Sequence, residues 1–255
     1  MPSRSTEALV LDAAPYRDRD KIVTLFTESE GKVRGVAHGA ARSVKRFGGR
    51  LERFSRVRAT YFEREGMDLV RIDDLELVRE SFRLQQDIRV SAALSYVCEV
   101  AGEFVGEKES DRRYYRLLGA LLEAFRAGME INLLLRYFEF WTARLHGIFP
   151  EFEGCDGCGS AFGPAGARVA AAGGAAMCTR CARGAGERML SISASALTAI
   201  AAFKHSAPAA LANVIFPASA LDQIEAAATA ALSAFAGREF RSRAFLRQVL
   251  AQAAK

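Results

Sequence analysis

An α+β architecture, with a small N-terminal β-barrel followed by a helical domain, is predicted by three features of the sequence. Short runs rich in β-branched and aromatic residues recur through the first 80 positions, the apolar period becomes helical after Ser81, and two Cys-x-x-Cys pairs interrupt the helical half. The full expectation is an OB-fold barrel followed by an α-helical domain carrying an inserted four-cysteine zinc module.

The strand runs lie at residues 8–11, 22–27, 32–37, 57–63 and 69–77. Turn signals separate them: Glu30-Gly31, His38-Gly39, Gly48-Gly49 and Glu65-Gly66. Five short strands in so little chain suit a closed barrel, because an open five-stranded sheet leaves two edges to cover. Beyond Ser81, Leu94, Val97, Cys98, Ala101, Phe104 and Val105 share one helical face. Tyr114, Leu117, Leu118, Leu121, Leu122 and Phe125 form a second, and Ile131, Leu134, Leu135, Phe138, Thr142, Leu145 and Phe149 a third. The Ala-rich region 191–255 predicts two or three more helices, with Leu221, Ile224, Ala228, Leu232 and Phe235 on one face. The expected domains are therefore 1–80 and 81–255, with a Gly-rich, loop-like module at 150–187.

That module holds Cys155-Asp-Gly-Cys158 and, after 19 intervening residues, Cys178-Thr-Arg-Cys181. Two residues between cysteines let both thiolates turn onto one ion at about 2.3 Å, and two such knuckles complete a tetrahedron. So Gly-rich a segment holds little core of its own, which favours one structural zinc over four free or redox-active thiols. Four protein ligands leave no position for an activated water. Cys98, the fifth cysteine, sits on an apolar helical face and reads as buried and inert.

Thirty-five basic and 30 acidic residues give a net charge of only +5, but residues 32–58 contain nine Lys or Arg against the single acid Glu52. That one segment carries +8 and the rest of the chain −3. Lys32, Arg34, Arg42, Lys45, Arg46, Arg50 and Arg53 are the candidate contacts to a nucleic-acid backbone. Phe47 and Phe54, interleaved with them, read better as barrel plugs than as base-stacking platforms. Arg238, Arg241, Arg243 and Arg247 form either a second cationic face or the wet side of a last helix. Catalytic patterns are missing: His38, His146 and His205 begin no His-x-Glu pair, and neither a Gly-x-x-x-x-Gly-Lys nor a Gly-x-Ser-x-Gly stretch occurs. A non-enzymatic protein is expected. Neither a secretory leader nor an apolar run of about 18 residues is visible.

Three stretches together resemble the RecO recombination-mediator family. DKIVTLFTESEGKVRGVAHGAARSVKRFGG, from Asp20, is similar to the family's second and third strands with their basic loop. LHGIFPEFEGCDGCG, from Leu145, resembles its entry into the first zinc knuckle, and FRSRAFLRQVL, from Phe240, its last helix. Arg17 and Arg19 depart from the pattern, which has acidic or neutral residues before Asp20.

The resemblance implies a cytoplasmic, nucleoid-associated protein that binds single- and double-stranded DNA and anneals complementary strands. It also implies that the chain works with RecR and with the tail of the single-stranded-DNA-binding protein to help load RecA. Arg113, Arg116 and Arg136 are the expected arginines for that acidic tail. A barrel-plus-zinc protein acting on RNA or in transcription is the chief alternative, and a metal hydrolase would need an open zinc position and a nearby carboxylate.

Overall fold

A computed structural model describes residues 3–43, 47–63, 66, 68–186 and 188–253. They pack as two compact units, residues 1–116 with 240–255, and residues 117–239.

The first unit is built on β1 (Ser3–Tyr16), β2 (Asp20–Thr27), β3 (Gly31–Ala37), β4 (Arg56–Phe62) and β5 (Val70–Arg79). These close into a barrel in the order β1-β2-β3-β5-β4, with β3 and β5 parallel and the other neighbours antiparallel. This is the expected OB-type barrel. Alternate residues of the strands, among them Ala8, Val10, Val23, Leu25, Val57, Ala59 and Ile72, fill its interior. Phe47 and Leu51 plug the same core, and Phe54 is also fully buried.

β1 and β2 are buried on their outer faces as well, which is why Ala8-Leu-Val-Leu11 is a continuous apolar run. Leu9 lies opposite Phe26, and the Phe26 ring meets Tyr114 and Tyr115 at 5.8 and 5.4 Å. Burying each such side chain contributes roughly 1.5–3 kcal/mol. The strand expected at 8–11 runs from Ser3 to Tyr16 because its polar ends pair through backbone, Ser3 opposite Phe62 and Tyr16 opposite Asp20. Side-chain patterning does not report that contribution.

Helix α1 (Ile88–Phe104) is capped by Asp87, whose carboxylate accepts the Arg89 amide at 2.8 Å. Its face Leu94, Val97, Cys98, Ala101 and Phe104 is buried as expected. Burial pushes the Cys98 thiol up to about 12, so it is inert as a nucleophile. Helix α2 (Arg112–Arg126) starts at Asp111, which accepts the Tyr114 amide.

The turn between β2 and β3 is held against the end of α1. The Lys32 amide donates to Gly106 O at 2.8 Å, and a Cβ on Gly31, at φ +69°, would lie 2.1 Å from Glu109 O. Gly31→Ala is therefore expected to cost about 2–4 kcal/mol, from left-handed strain plus forced backbone movement. Gly39→Ala, with open space around it at φ +73°, should cost only about 1 kcal/mol. Urea midpoints of the two variants check this; equal losses would contradict it.

The second unit contains α3 (Ile131–Leu145), α4 (Ala194–His205) and α5 (Ala218–Ala236). Glu130 caps α3, Ser193 caps α4, and Gly237, at φ 65°, ends α5. On α5 the buried stripe stops at Leu232. Phe235, expected on it, is 59 % exposed. The last helix, α6 (Arg241–Ala253), belongs to the first unit, where Glu99 accepts the amides of Arg241 and Ser242.

Residues 150–187, expected to be loop-like, include strands β6 (Ala167–Ala170) and β7 (Ala176–Met177). With β8 (Met189–Ile192) these form a three-stranded sheet in the order β7-β6-β8. Strands of two to four residues are too short for a side-chain period to show. Among the described residues no helix is long and apolar enough to cross a membrane.

Candidate metal centre and nucleic-acid interface

Each cysteine pair forms a tight knuckle. The amides of Cys158 and Gly159 both donate to Cys155 O, Gly159 takes φ +70°, and the Cys155 amide donates to Ser160 O. In the second knuckle the Ala182 amide donates to Cys178 O. Asp156 ties the knuckle to β7, its amide donating to Ala176 O and its carboxylate accepting the Ala176 amide at 2.6 Å. A side chain at Gly157 would lie 3.2 Å from Cys181 Sγ, so the approach of the two knuckles leaves little room there.

The four sulfurs lie within 4.8 Å of one another, and Cys158 Sγ is 3.9 Å from Cys178 Sγ. A zinc–sulfur distance of about 2.3 Å puts tetrahedral sulfurs about 3.8 Å apart, so the set fits one ion with modest tightening. Electrostatics agrees. The Cys178 amide, donating at 3.1 Å, and the Gly157 amide hold the Cys155 thiol below its usual range. Ser160, through hydroxyl and amide, draws Cys158 down to about 6. Hydrogen bonding to Cys158, Cys178 and Cys155 pushes Cys181 up to about 12, because so many sulfurs this close cannot all be anionic without a cation among them. Arg180, in the second spacer, supplies one external positive charge, its guanidinium hydrogen-bonded to Cys158. Its position inside the Cys-x-x-Cys stretch was the available signal for it.

The barrel cations are arranged differently from their linear order. Arg34, on β3, and Arg42, in the following loop, are exposed, and among the described residues neither side chain has an ion-pair partner. Lys32 instead points its ammonium at Gly102 O, 3.1 Å away, near the end of α1. Arg50 pairs with Asp74 at 3.5 Å and Arg53 with Asp12 at 2.7 Å. Arg56 pairs with Glu7, and Arg58 with Glu76 at 3.3 Å. Lys45 and Arg46 lie outside the described residues. The count of +8 therefore overstates the charge the barrel presents, because the neutralising acids come from β1 and β5. Exposed pairs of this kind contribute about 0.2–1 kcal/mol, so a phosphate can still compete for Arg50 and Arg53.

Sequence reasoning missed the clamp on this loop. Asp20 accepts the Gly39 amide and His38 Nδ1, both at 2.9 Å, and the Gly39 bond followed by the His38 bond lowers its pKa.

Of the tail-binding candidates, Arg113 and Arg116 are exposed near the start of α2. Arg136 is not at a surface. It is 5 % exposed and ion-paired to Glu139 at 2.6 Å and to Glu225.

The sequence profile described as "Recombination protein O N terminal" matches residues 1–81, and "Recombination protein O C terminal" matches residues 85–244. A DNA repair protein RecO from Anaeromyxobacter sp. (strain K) is 35 % identical, over 94 % of both chains. The DNA repair protein RecO of Geobacter sulfurreducens is 33 % identical, over 95 % of this chain and 97 % of its own. That of Koribacter versatilis is 36 % identical over 61 % of this chain and 64 % of its own. With the barrel, the helices and the cysteine cluster in the expected order, the chain belongs to the RecO family of DNA repair proteins.

Proposed function

We propose that this chain is a non-enzymatic mediator of DNA repair and homologous recombination. It binds single- and double-stranded DNA, anneals complementary strands, and with RecR helps load RecA on DNA coated by the single-stranded-DNA-binding protein. The observation that carries this reading is the OB-type barrel presenting Arg34 and Arg42 without ion-pair partners among the described residues, in a chain that RecO profiles match over most of its length. The work is binding: phosphates are neutralised and two strands are held close together, with no bond broken.

Arg34 and Arg42 are the strongest phosphate contacts in this reading. Lys45 and Arg46, in the same run of sequence, add phosphate contacts, and Arg50 and Arg53 exchange their carboxylates for phosphate. Cys155, Cys158, Cys178 and Cys181 hold one zinc whose role is structural, since four sulfurs close its shell. The partner tail docks at Arg113 and Arg116, whose guanidinium groups suit a terminal carboxylate.

Strand annealing of DNA and of RNA, each with and without the single-stranded-DNA-binding protein, tests the proposal. DNA annealing that persists on coated strands is expected. Annealing of RNA alone would favour the RNA-binding alternative. The double variant Arg34→Ala/Arg42→Ala should lower the slope of log affinity against log salt by about 1.4 on single strands and 1.8 on duplex, similarly for unrelated sequences.

A further inference from the structure

We propose that the turn between β1 and β2 is a second arm of the DNA face, with Arg17 and Arg19 gripping the phosphodiester backbone beside Arg42. This inference rests on the DNA-binding reading above and names side chains that the charge run at 32–58 does not contain.

The Ala41 amide donates to Arg19 O at 3.0 Å, and the Asp20 carboxylate accepts the Gly39 amide at 2.9 Å, so one backbone and one side-chain bond tie the turn to the basic loop. Arg42, next in the loop, therefore shares an edge of the barrel with the turn. Lys21 lies opposite Ala37 in the β2–β3 register at the same end. Arg17, Arg19 and Arg42 are all exposed, and among the described residues none has a carboxylate in ion-pair contact. Arg50, Arg53, Arg56 and Arg58 each have one.

Arg17 also holds a left-handed backbone, φ 54°, where glycine or asparagine is usual, with its guanidinium 5.0 Å from the Tyr16 ring centre. A strained position occupied by a long cation suggests a role for that cation. Two acids oppose the cluster. Asp20 is engaged by Gly39 and His38, which leaves Asp18 as the exposed negative charge of the turn.

The test is a salt titration of binding to unrelated single-stranded DNA oligonucleotides, using the full chain. Arg17→Asn, a residue that tolerates the left-handed region, is combined with Arg19→Gln, and thermal melts confirm folding; Arg19→Gln alone serves if the double variant does not fold. For the double variant the affinity lost between about 50 and 200 mM salt should shrink roughly sevenfold, two contacts at about 0.7 each; the single variant should give half that change in slope. Asp18→Asn should raise affinity roughly twofold. Arg58→Gln, on β4 opposite Glu7 and toward the other end of β1 from the turn, should leave the slope as it was. A folded Arg17→Asn/Arg19→Gln protein, or a folded Arg19→Gln protein in its place, with the wild-type slope overturns the inference. Absence of salt-dependent binding in the wild type instead sinks the DNA-binding reading itself.

Discussion

Cys155→Ser, or treatment with a strong chelator, is expected to release one zinc and unfold the module between Pro150 and Ile192. Structural sites of this type contribute on the order of 10 kcal/mol or more in isolated fingers, where binding and folding are one event. Damage should spread into the helices of the second unit along a chain of rings. Phe162 meets Phe152 at 6.4 Å, Phe152 meets Phe149 at 5.5 Å, and Phe149 meets Phe140 of α3 at 5.9 Å. Gly173 adds a backbone link, since a Cβ there would lie 2.3 Å from Ile148 O. Metal analysis and hydrogen exchange together check the expectation: zinc falls from one equivalent to none, and β6 and β8 lose protection. Purified protein without zinc, with four freely reactive thiols and the module still protected, would refute a structural metal.

Arg136→Ala is expected to cost 3–5 kcal/mol or so, the usual consequence of removing one member of a buried ion pair. The guanidinium bridges Glu139 on its own helix and Glu225 on α5, and the Glu139 side chain is only 1 % exposed. Without the arginine two carboxylates face each other, one of them cut off from water. Combining Arg136→Met with Glu139→Leu and Glu225→Gln should recover much of the loss, because apolar replacement removes the desolvation penalty along with the attraction. Urea unfolding measures both. A loss below about 1 kcal/mol for Arg136→Ala would mean that water already reaches the pair. Affinity for the partner tail should be unchanged in the folded combined variant.

Much of the fold could be read from the sequence because its signals are local. Period-2 runs marked the five barrel strands, period-3.6 runs marked the main helices, and the Cys-x-x-Cys spacing marked the four cysteines that lie close enough to hold one ion. The charge run was legible as composition, but its meaning was not. Glu7, Asp12, Asp74 and Glu76 reach Arg56, Arg53, Arg50 and Arg58 from strands distant in sequence, and a count along the chain cannot subtract them.

By itself, then, the sequence determined the barrel, the helical character of the remainder and the four-cysteine cluster, since each follows from residues near one another in the chain. Tertiary structure alone decided which cations remain available. It placed α6 in the unit of the barrel, where Glu99 caps it, and it buried Arg136 between two carboxylates. It also tied the backbone of Arg19 to the basic loop. The physical reason is common to all four. Ion pairing, helix capping and backbone hydrogen bonding act over a few ångströms of space, whatever the separation in sequence.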